Sequence, residues 1–521
     1  MSPLWLANAE PATAWSHQTW SDLSARPDKA RTLVILPVHG FADHGLGLPL
    51  DTEETVGSAV LRAAVIATGA PSNVLVLPPL RLVAAPYAHS RFGVDAETVL
   101  DSLAELTASV KASGFSRILF FNTSPWNVEL VNTAALDARV ALDLRTYVIG
   151  SAGIGLGFHP THPHLQHTQT VAARLLGHSL APNSAALNAT TAIATSVPTD
   201  VRDADFRPGY FGQPAPVTPD ASLDGESLFL AAAAQLASLL GEILVHATTS
   251  PFPSAPASPL FAPAAVPSAS RARQLTTFTA AELAAIPDKA GALVILPTGA
   301  IEQHGHHLPL GTDAFLGQLW LNRALPKLPA NSPVFVSPPL TFGKSNEHLG
   351  FAGTLTLSAR TLRRQVTALV TDLYAQGFRQ VAVLNTHGGN SATLVTTVRE
   401  LQTALSGLRI GLLSGYYKPA QTPQEAAYGF HAGEWETALL LSAAPELVRM
   451  DRAVCEYPAQ LDAPGALRPE AAPAIFAWKT SDISKSGVMG DATLATAEKG
   501  ARWLDEASTA LARRIESLLN A

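Results

Sequence analysis

Acidic and imidazole side chains crowd one stretch of the chain, LPTGAIEQHGHHLPLGTDAF, which runs from Leu296 to Phe315. Its side chains that could bind a metal are Glu302, His304, His306, His307 and Asp313. A divalent cation accepts lone pairs from both kinds of group and neutralises the carboxylates, so the crowding favours a metal site. Glu302 and His304 are two residues apart and point to the same side of an extended backbone. His304 is therefore the favoured histidine ligand, and His306 and His307 are expected to line the pocket.

Two later clusters extend this set. His387 lies in NTHGGN, directly after an apolar run, and the two glycines that follow it let the backbone turn tightly. His431, Glu434 and Glu436 stand at the start of an apolar helical segment, FHAGEWETALLL. Acidic residues are favourable in the first turn of any helix, which accounts for one glutamate without a ligand. A histidine together with two glutamates goes beyond that and indicates chemistry.

The composition narrows the class of function. The 521 residues include 35 basic and 42 acidic side chains, a net charge of −7, and contain no Lys/Arg run, so a nucleic-acid-binding surface is not expected. Cys455 is the one cysteine, which excludes a disulfide framework and thiolate zinc sites. Any metal must therefore be held by nitrogen and oxygen ligands.

The sequence predicts a cytoplasmic protein without membrane contact. Its N-terminus has no basic region followed by a long apolar core, so no signal peptide is expected. Apolar runs such as Ala231 to Leu240 are interrupted by polar residues and are shorter than a bilayer span requires.

The chain contains an internal repeat. Pro27 to Ala30 recurs as Pro287 to Ala290, an offset of 260, and LVILP follows shortly after both copies. Asn122 and Thr123 match Asn385 and Thr386 at an offset of 263. One short loop insertion explains the change of offset. This many ordered matches indicate a tandem duplication.

A linker separates the two copies. Residues 251–270 read PFPSAPASPLFAPAAVPSAS, and six prolines among Ala and Ser are incompatible with a helix or a central strand. We therefore expect a first domain at 1–250, a Pro/Ala/Ser-rich linker at 251–270 and a catalytic domain at 271–521.

Each half alternates short apolar strands with amphipathic helices, which predicts an α/β fold with largely parallel sheets. In the second half, strands are expected at 292–297, 334–337 and 380–384, and helices at 359–376 and 391–405. Chemistry in such sheets collects at the carboxyl ends of strands. The Glu302 stretch and the His387 loop both follow strands and should therefore meet at that edge.

The second half resembles the creatininase family of metal-dependent amidohydrolases. The matching motifs, in order, are E-x-H-G…LP-x-x-T-D at Glu302 to Asp313, EH…GT at Glu347 to Thr354, NTHGGN, HAGEWET and GVMGD at Gly487 to Asp491. The resemblance implies two tandem α/β/α sandwich domains, of which the second holds a dinuclear metal site. The metals implied are two divalent ions, with Zn²⁺ as the first choice and Mn²⁺ or Fe²⁺ as alternatives.

The resemblance also implies roles for individual residues. The metal ligands would be Glu302, His304, Asp313, His387 and Glu434, with Asp313 bridging both ions. Creatininase itself places a ligand glutamate where this chain has Gly389, a departure that argues against creatinine as the substrate. His431 is expected to act as general acid or base, with Glu436 orienting it or a ligand. Glu347 and His348 are expected at the pocket or a subunit interface.

The implied activity is hydrolysis of an amide or cyclic-amide C–N bond in a small molecule by a metal-activated water. Relatives within the family act as deformylases, as a peptidase or on a carbon–carbon bond, and the sequence leaves the substrate and the native metal open. The remaining alternative is a non-catalytic, metal-stabilised scaffold or sensor.

The first half is a degenerate copy of the same site. Ala42 replaces Glu302, His44 matches His304, Glu53 replaces Asp313 and Ser124 replaces His387, while His164 and His167 fall near the third cluster. One interpretation is a rebuilt mononuclear site that uses His44 and the histidines between His159 and His167. The other, which we favour, is a half retained for packing. Because the family forms oligomers, this half is expected to act as a pseudo-subunit within a homo-oligomer.

Overall fold

The computed structural model describes residues 10–69, 71–85, 87, 89–159, 162–180, 222–245, 271–413, 417–458 and 478–519. Two parallel sheets organise this part of the chain, one in each half. The predicted linker at 251–270 lies outside the described residues, so the domain boundaries stay a prediction.

The two sheets have the same strand order. The first contains β1 (Leu33–His39), β2 (Val74–Val76), β3 (Leu80–Arg81), β4 (Arg117–Asn122) and β5 (Arg145–Gly150). They lie in the order β2-β1-β4-β5, with β3 pairing with β1, and every pair is parallel. The second contains β6 (Leu293–Thr298), β7 (Val334–Val336), β8 (Gln380–Asn385) and β9 (Arg409–Leu413). Its parallel order, β7-β6-β8-β9, repeats the first sheet and agrees with a tandem duplication. A small antiparallel pair joins β10 (Cys455–Glu456) to β11 (Gly490–Asp491).

Helices cover both faces of each sheet. Those of the first half are α1 (Trp20–Ala25), α2 (Thr52–Ala67), α3 (Ala96–Ala112), α4 (Val128–Leu142), α5 (Leu165–Leu176) and α6 (Gly225–Val245). Those of the second half are α7 (Ala280–Ala285), α8 (Thr312–Ala324), α9 (Ala359–Ala375), α10 (Ser391–Ala404), α11 (Pro423–Tyr428), α12 (Glu434–Ala443), α13 (Thr480–Ile483) and α14 (Ala497–Leu519).

Successive residues of each strand pack alternately into two core layers, one on each face of the sheet. In β6, Val294 and Leu296 pack with the buried faces of α9 and α10, whereas Leu293 and Ile295 pack with α8 and α14. Because successive strand residues point to opposite faces, a strand that is apolar throughout is buried on both sides. The first half shows the same division around β1. The predicted α/β/α sandwiches with parallel sheets are confirmed.

Local signals recur at matching positions of the two halves. Thr19 and Asp22 form a capping box at the start of α1, and Thr279 and Glu282 form the corresponding box at α7. In each box two backbone N–H groups that the helix leaves unpaired find a side-chain acceptor. The same device at an offset of 260 is what a duplicated sequence would produce.

The halves exchange matching backbone contacts. The N–H of Leu310 donates to Gln18 O at 2.9 Å, and the N–H of Leu50 donates to Phe278 O at 3.1 Å. These four residues are related by the repeat, so each half pairs its entry segment with the loop of the other. The core next to β1 also takes in Leu310 and other apolar residues of the second half. The two copies are therefore packed together as partners.

Helix α6 corrects the expectation drawn from its apolar run. The run Ala231 to Leu240 was expected to be too short for a membrane, yet α6 has 21 residues with a mean hydropathy of 2.0 over its most apolar window. By length and composition it could cross a bilayer, and 33% of that window is buried. Phe229, Leu236 and Leu240 pack into the core between α2 and α5. The core helix of a protein that does not enter a membrane can be equally long and apolar. The length and composition of α6 are therefore weak evidence for a membrane span.

Candidate metal centre

Four polar side chains meet where β6 and β8 end. Glu302 and His304 lie in the loop that follows β6, and His387 directly follows β8. Asp313 lies in the first turn of α8, after the backbone has turned through Gly311. All four are buried, which is unusual for ionisable groups that lack partners.

One group of three ligand atoms forms around Glu302. His387 Nδ1 lies 3.2 Å from Glu302 Oε1 and 3.4 Å from Asp313 Oδ2. The ligand atoms of these three residues all lie within 4.8 Å of one another, close enough to share one ion. Two carboxylates and one imidazole form an oxygen and nitrogen site suited to a divalent metal.

A second group of three forms around His304. Its Nε2 lies 3.4 Å from Asp313 Oδ1 and 3.9 Å from Glu436 Oε2. These three residues also meet the 4.8 Å criterion for sharing an ion. Asp313 belongs to both groups, with one oxygen directed towards each. Two further groups, Glu302/His304/His431 and Glu302/Glu347/His348, meet the same criterion.

Hydrogen bonds orient both histidines for coordination. The Nδ1 of His304 lies 3.1 Å from Glu302 O, and the Nε2 of His387 lies 2.9 Å from Lys344 O. A carbonyl only accepts, so each of these nitrogens carries the proton. The opposite nitrogen of each ring faces the carboxylates, and it would have to lose any proton it carries before it bound an ion. Metal-bound histidines are commonly held in this way by a backbone carbonyl.

Unpaired buried atoms test whether a cation fits. Glu302 Oε2, His304 Nε2 and Asp313 Oδ2 are buried and make no hydrogen bond among the described residues. Leaving such atoms unpaired costs free energy, and buried charges are normally paired or bound to metal. All three atoms carry lone pairs and lie close together. A cation could accept lone pairs from all of them, whereas another hydrogen-bond acceptor could not.

Crowding perturbs the acid–base behaviour of the cluster. Burial, opposed in part by His387 and reinforced by Asp313, raises the pKa of Glu302 to about 7. Burial likewise raises the pKa of Asp313 and of Glu436 to about 7. For His387, burial lowers the pKa, but Glu302 and the other carboxylates outweigh it and bring the value to about 10. Strong shifts of this kind in a cluster at the strand ends are typical of a functional site.

The two glutamates of α12 have different surroundings from those expected. Glu434 accepts from Lys499 Nζ at 2.5 Å and from Gln421 Nε2 at 3.3 Å, and it belongs to neither group of ligand atoms. Glu436 is the residue that reaches His304, while its Oε2 also accepts from the N–H of Ala432 at 2.6 Å. Four of the five ligands inferred from the sequence thus lie together, and Glu436, not Glu434, joins them in a group of possible ligand atoms.

His431 belongs to the cluster, because its ligand atom lies within 4.8 Å of those of Glu302 and His304. Its Nε2 lies 2.9 Å from Gln303 O, which leaves Nδ1 facing Glu302 Oε1 at 3.8 Å. Burial, together with His304 and His348, holds the pKa of His431 well below its usual range. The ring is therefore neutral at pH 7 and can accept a proton.

The sequence left open where two residues of the site, His348 and Gln303, would lie. His348 Nε2 lies 3.3 Å from Glu302 Oε1, so this histidine borders the centre and not a distant surface. Gln303 Nε2 lies 2.9 Å from His348 Nδ1 and 3.0 Å from Gly487 O. The position of Gln303 between two ligands was the available signal, but its partners are distant in sequence.

The remaining histidines of the stretch line its margins. His307 is buried, and its Nε2 contacts Thr437 Oγ1 at 2.8 Å. His306 is half-buried and packs its ring against Trp20 at 4.6 Å. Neither belongs to a group of ligand atoms among the described residues.

The first half retains part of the geometry without the ligands. His44 Nε2 lies 3.5 Å from Glu53 Oε1, while Glu53 Oε2 accepts from the N–H of Gly40 at 2.7 Å. Ala42 and Ser124 are both buried at the places of the missing Glu and His. Within the described part of this half, no three His, Cys, Asp or Glu residues come close enough to hold an ion.

The histidines after β5 do not join His44. His159 packs against Trp126 at 5.1 Å, and the rings of His164 and His167 stack on each other at 4.8 Å. His44 Nδ1 instead contacts the carbonyl of Phe158 at 3.2 Å. A mononuclear site rebuilt from these residues is therefore not assembled in the described geometry.

Comparisons with known proteins agree with this architecture. The family model Creatininase, described as creatinine amidohydrolase, matches residues 16–240 and again 276–515. The mycofactocin precursor peptide peptidase of Mycolicibacterium smegmatis is 31% identical over 226 residues, covering 43% of this chain and 84% of the relative. Creatinine amidohydrolase of Pseudomonas putida is 33% identical over 186 residues, covering 32% and 70%.

The solved structure "Creatininase Mn" is 27% identical with a TM-score of 0.39, covering 47% of this chain and 97% of its own. The two regions that the family model matches account for most of the sequence, and each contains one of the two sheets. The chain belongs to the creatininase family of hydrolases, with one copy of the family domain in each half.

Proposed function

We propose that the second half hydrolyses an amide or cyclic-amide C–N bond of a small molecule with the help of two divalent ions. One observation supports this above the others, namely that Asp313 belongs to two groups of ligand atoms, Glu302/Asp313/His387 and His304/Asp313/Glu436. Two ions held this close together polarise a carbonyl and lower the pKa of a bound water.

The fifth ligand in this proposal is Glu436, in place of Glu434. A side chain at Gly389, the ligand position of creatininase, would force its neighbours to shift, because a Cβ there would lie 2.5 Å from the backbone carbonyl of Lys344. The carboxylate for the second ion is therefore assigned to another element, and Glu436 lies within reach of His304. Glu434 is assigned to fixing α12 through Lys499.

His431 is the proposed proton carrier. Its neutral Nδ1 faces the centre and can accept a proton from the attacking water, which it then gives to the leaving nitrogen. The opposite nitrogen lies between the carbonyl and the side-chain amide of Gln303, which hold the ring in place. His348, held by Gln303 and by Thr480 Oγ1, donates towards Glu302 and fixes that ligand.

The metal and the setting are proposed from the same residues. Zn²⁺ is the first choice because imidazole and carboxylate ligands suit it, and Mn²⁺ or Fe²⁺ fit the same donors. The proposal retains a cytoplasmic location and a homo-oligomeric assembly with the first half as a pseudo-subunit. Among relatives, the peptidase name favours short peptides as first substrates to try.

Metal analysis combined with a substrate screen tests the proposal. Purified full-length protein should hold about two divalent ions per chain and hydrolyse at least one member of a panel of N-formyl compounds, lactams and short peptides. Asp313→Ala should remove most of the bound metal and nearly all of the hydrolysis. Full metal occupancy with no hydrolysis of any panel member would instead favour the non-catalytic scaffold or sensor.

A further inference from the structure

A tryptophan of the first half reaches the margin of the second-half centre. Trp20 begins α1, and its Nε1–H donates to Ser486 O at 3.1 Å. Its ring lies 4.6 Å from that of His306 and 5.1 Å from that of Phe351. Trp20 is half-buried, so it contacts the second half on one side and borders solvent on the other.

Ser486 belongs to a segment that packs onto the metal-binding stretch. We call residues 484–488 the covering loop. Gly487 O accepts from Gln303 Nε2 at 3.0 Å, and Gln303 separates Glu302 from His304 in the chain. Val488 packs so closely on Gly305 that a Cβ at Gly305 would lie 2.5 Å from its side chain. The position of the covering loop therefore determines how tightly the ligand stretch is enclosed.

Two anchors hold the covering loop, one from each half. Glu456 of the second half accepts from the N–H groups of Lys485 at 2.8 Å and Ser486 at 2.9 Å, and from Ser484 Oγ at 3.0 Å. Trp20 supplies the other anchor. Because the loop contains neither helix nor strand, these side-chain contacts replace the ladder hydrogen bonds that would otherwise fix it.

The repeat shows that this tryptophan is specific to one side of the molecule. At an offset of 260, the counterpart of Trp20 is Ala280, which is buried in an apolar cluster beside Phe41 and Phe92 of the first half. The corresponding helix of the second half thus carries a methyl group at this position. The aromatic anchor is present only where the neighbouring half retains metal ligands.

We propose that Trp20 is a positioning residue through which the first half holds the covering loop closed over the metal centre of the second. This inference rests on the proposed metal site. It assigns the degenerate half a role in the chemistry of the other, because the enclosure of the ions depends on a side chain that the second half lacks. Enclosure of this kind slows exchange of the ions with solvent and fixes the wall that a substrate meets.

Release of bound metal to a chelator tests the inference without a substrate. Full-length protein loaded with Mn²⁺ is mixed with excess EDTA, and the rate of Mn²⁺ loss is measured. Trp20→Ala removes a hydrogen bond and ring contacts, so release should be faster by about tenfold. Trp20→Phe keeps an aromatic ring but loses the pyrrole part of the indole with its N–H, so part of the slow release should return.

Two further variants calibrate the result. Glu456→Ala removes the other anchor and should also accelerate release. Arg364→Ala removes a contact between the halves that does not involve α1, the 3.3 Å pair with Asp101, and should leave the rate unchanged. Normal release from Trp20→Ala alongside fast release from Glu456→Ala would overturn the inference. A wild-type protein that binds no Mn²⁺ would instead overturn the proposed metal site itself.

Discussion

The two halves share one scaffold but differ in the carboxylates that they bury at the matching strand ends. In the second half, Glu302, Asp313 and Glu436 are buried close together, each with a pKa raised to about 7. In the first half, Ala42 removes one carboxylate, and the remaining Glu53 accepts from the N–H of Gly40 through Oε2 while its Oε1 lies 3.5 Å from His44 Nε2 without a hydrogen bond. The second half therefore crowds several carboxylates that a cation would relieve, whereas the degenerate copy keeps one carboxylate with a histidine beside it.

The largest effect should come from the carboxylate that the two groups share. Asp313→Ala should reduce bound metal from about two ions to fewer than about one and lower turnover at least about 1,000-fold, since both groups lose a ligand. Metal content and initial rates measure this. Glu53→Ala at the matching position should change neither. Equal metal loss in both variants would show that the first half also binds an ion.

The next comparison separates the two glutamates of α12. Glu436→Gln should lower turnover about 100-fold or more and reduce the metal bound, because His304 loses the carboxylate opposite it. Glu434→Gln weakens a charged hydrogen bond to Lys499, so it should cost about 1.5–3 kcal/mol of unfolding free energy without changing metal content. Denaturant unfolding and metal analysis on both variants decide the assignment, and metal loss confined to Glu434→Gln would restore the original ligand set.

These glutamates show where sequence reasoning reaches its limit. The apolar runs predicted β6, β8 and α9 to within a residue or two, since burial on both faces leaves a continuous apolar pattern. Residues two apart on a helix point in nearly opposite directions. Whether Glu434 or Glu436 faces the centre therefore depends on how α12 is rotated against its neighbours, which no local spacing reveals.

The other site residues divide in the same way. Glu302, His304 and His387 follow strands that pair directly, so parallel topology alone predicts their meeting at one edge. The contacts of Gln303 with His348 and Gly487 join segments far apart in the chain, and their signal appears only once the chain is folded. Trp20 is a stronger case, because its partner lies in the other half.

The pH dependence of stability should distinguish a site that needs a cation from one that does not. A carboxyl whose folded pKa is raised stabilises the fold fully below its unfolded value, and that contribution is lost as pH rises through about 7. His387, raised from 6.5 to about 10, has the same sign at higher pH. The contribution of these groups to the stability of chelated protein should therefore be smaller at pH 8 than at pH 5, opposite to the trend from buried histidines with lowered pKa such as His348 and His431.

Added metal should reverse this trend. Its increase in melting temperature should be at least about 5 °C larger at pH 8 than at pH 5, because deprotonated carboxylates bind the cation and protonated ones do not. Thermal unfolding with and without Zn²⁺ at both pH values measures the difference. Asp313→Ala should abolish most of it and Glu53→Ala should leave it intact. A metal shift that is equal at the two pH values would show that the buried carboxylates are not the ligands.

The smallest effect is expected from the retained histidine of the first half. His44→Ala removes the partner of the buried Glu53 and opens a small space beside Phe158, so it should cost about 1–3 kcal/mol of unfolding free energy. Metal content and turnover should remain at wild-type values, in contrast to His304→Ala, which should lower both. Unfolding curves and metal analysis of this matched pair supply the test. If His44→Ala reduced bound metal, His44 would have to be a metal ligand. A residue other than Glu53 would then have to bind the same ion. If it left stability unchanged, the contact between His44 and Glu53 would be a relic of the duplication and not a replacement for the lost cation.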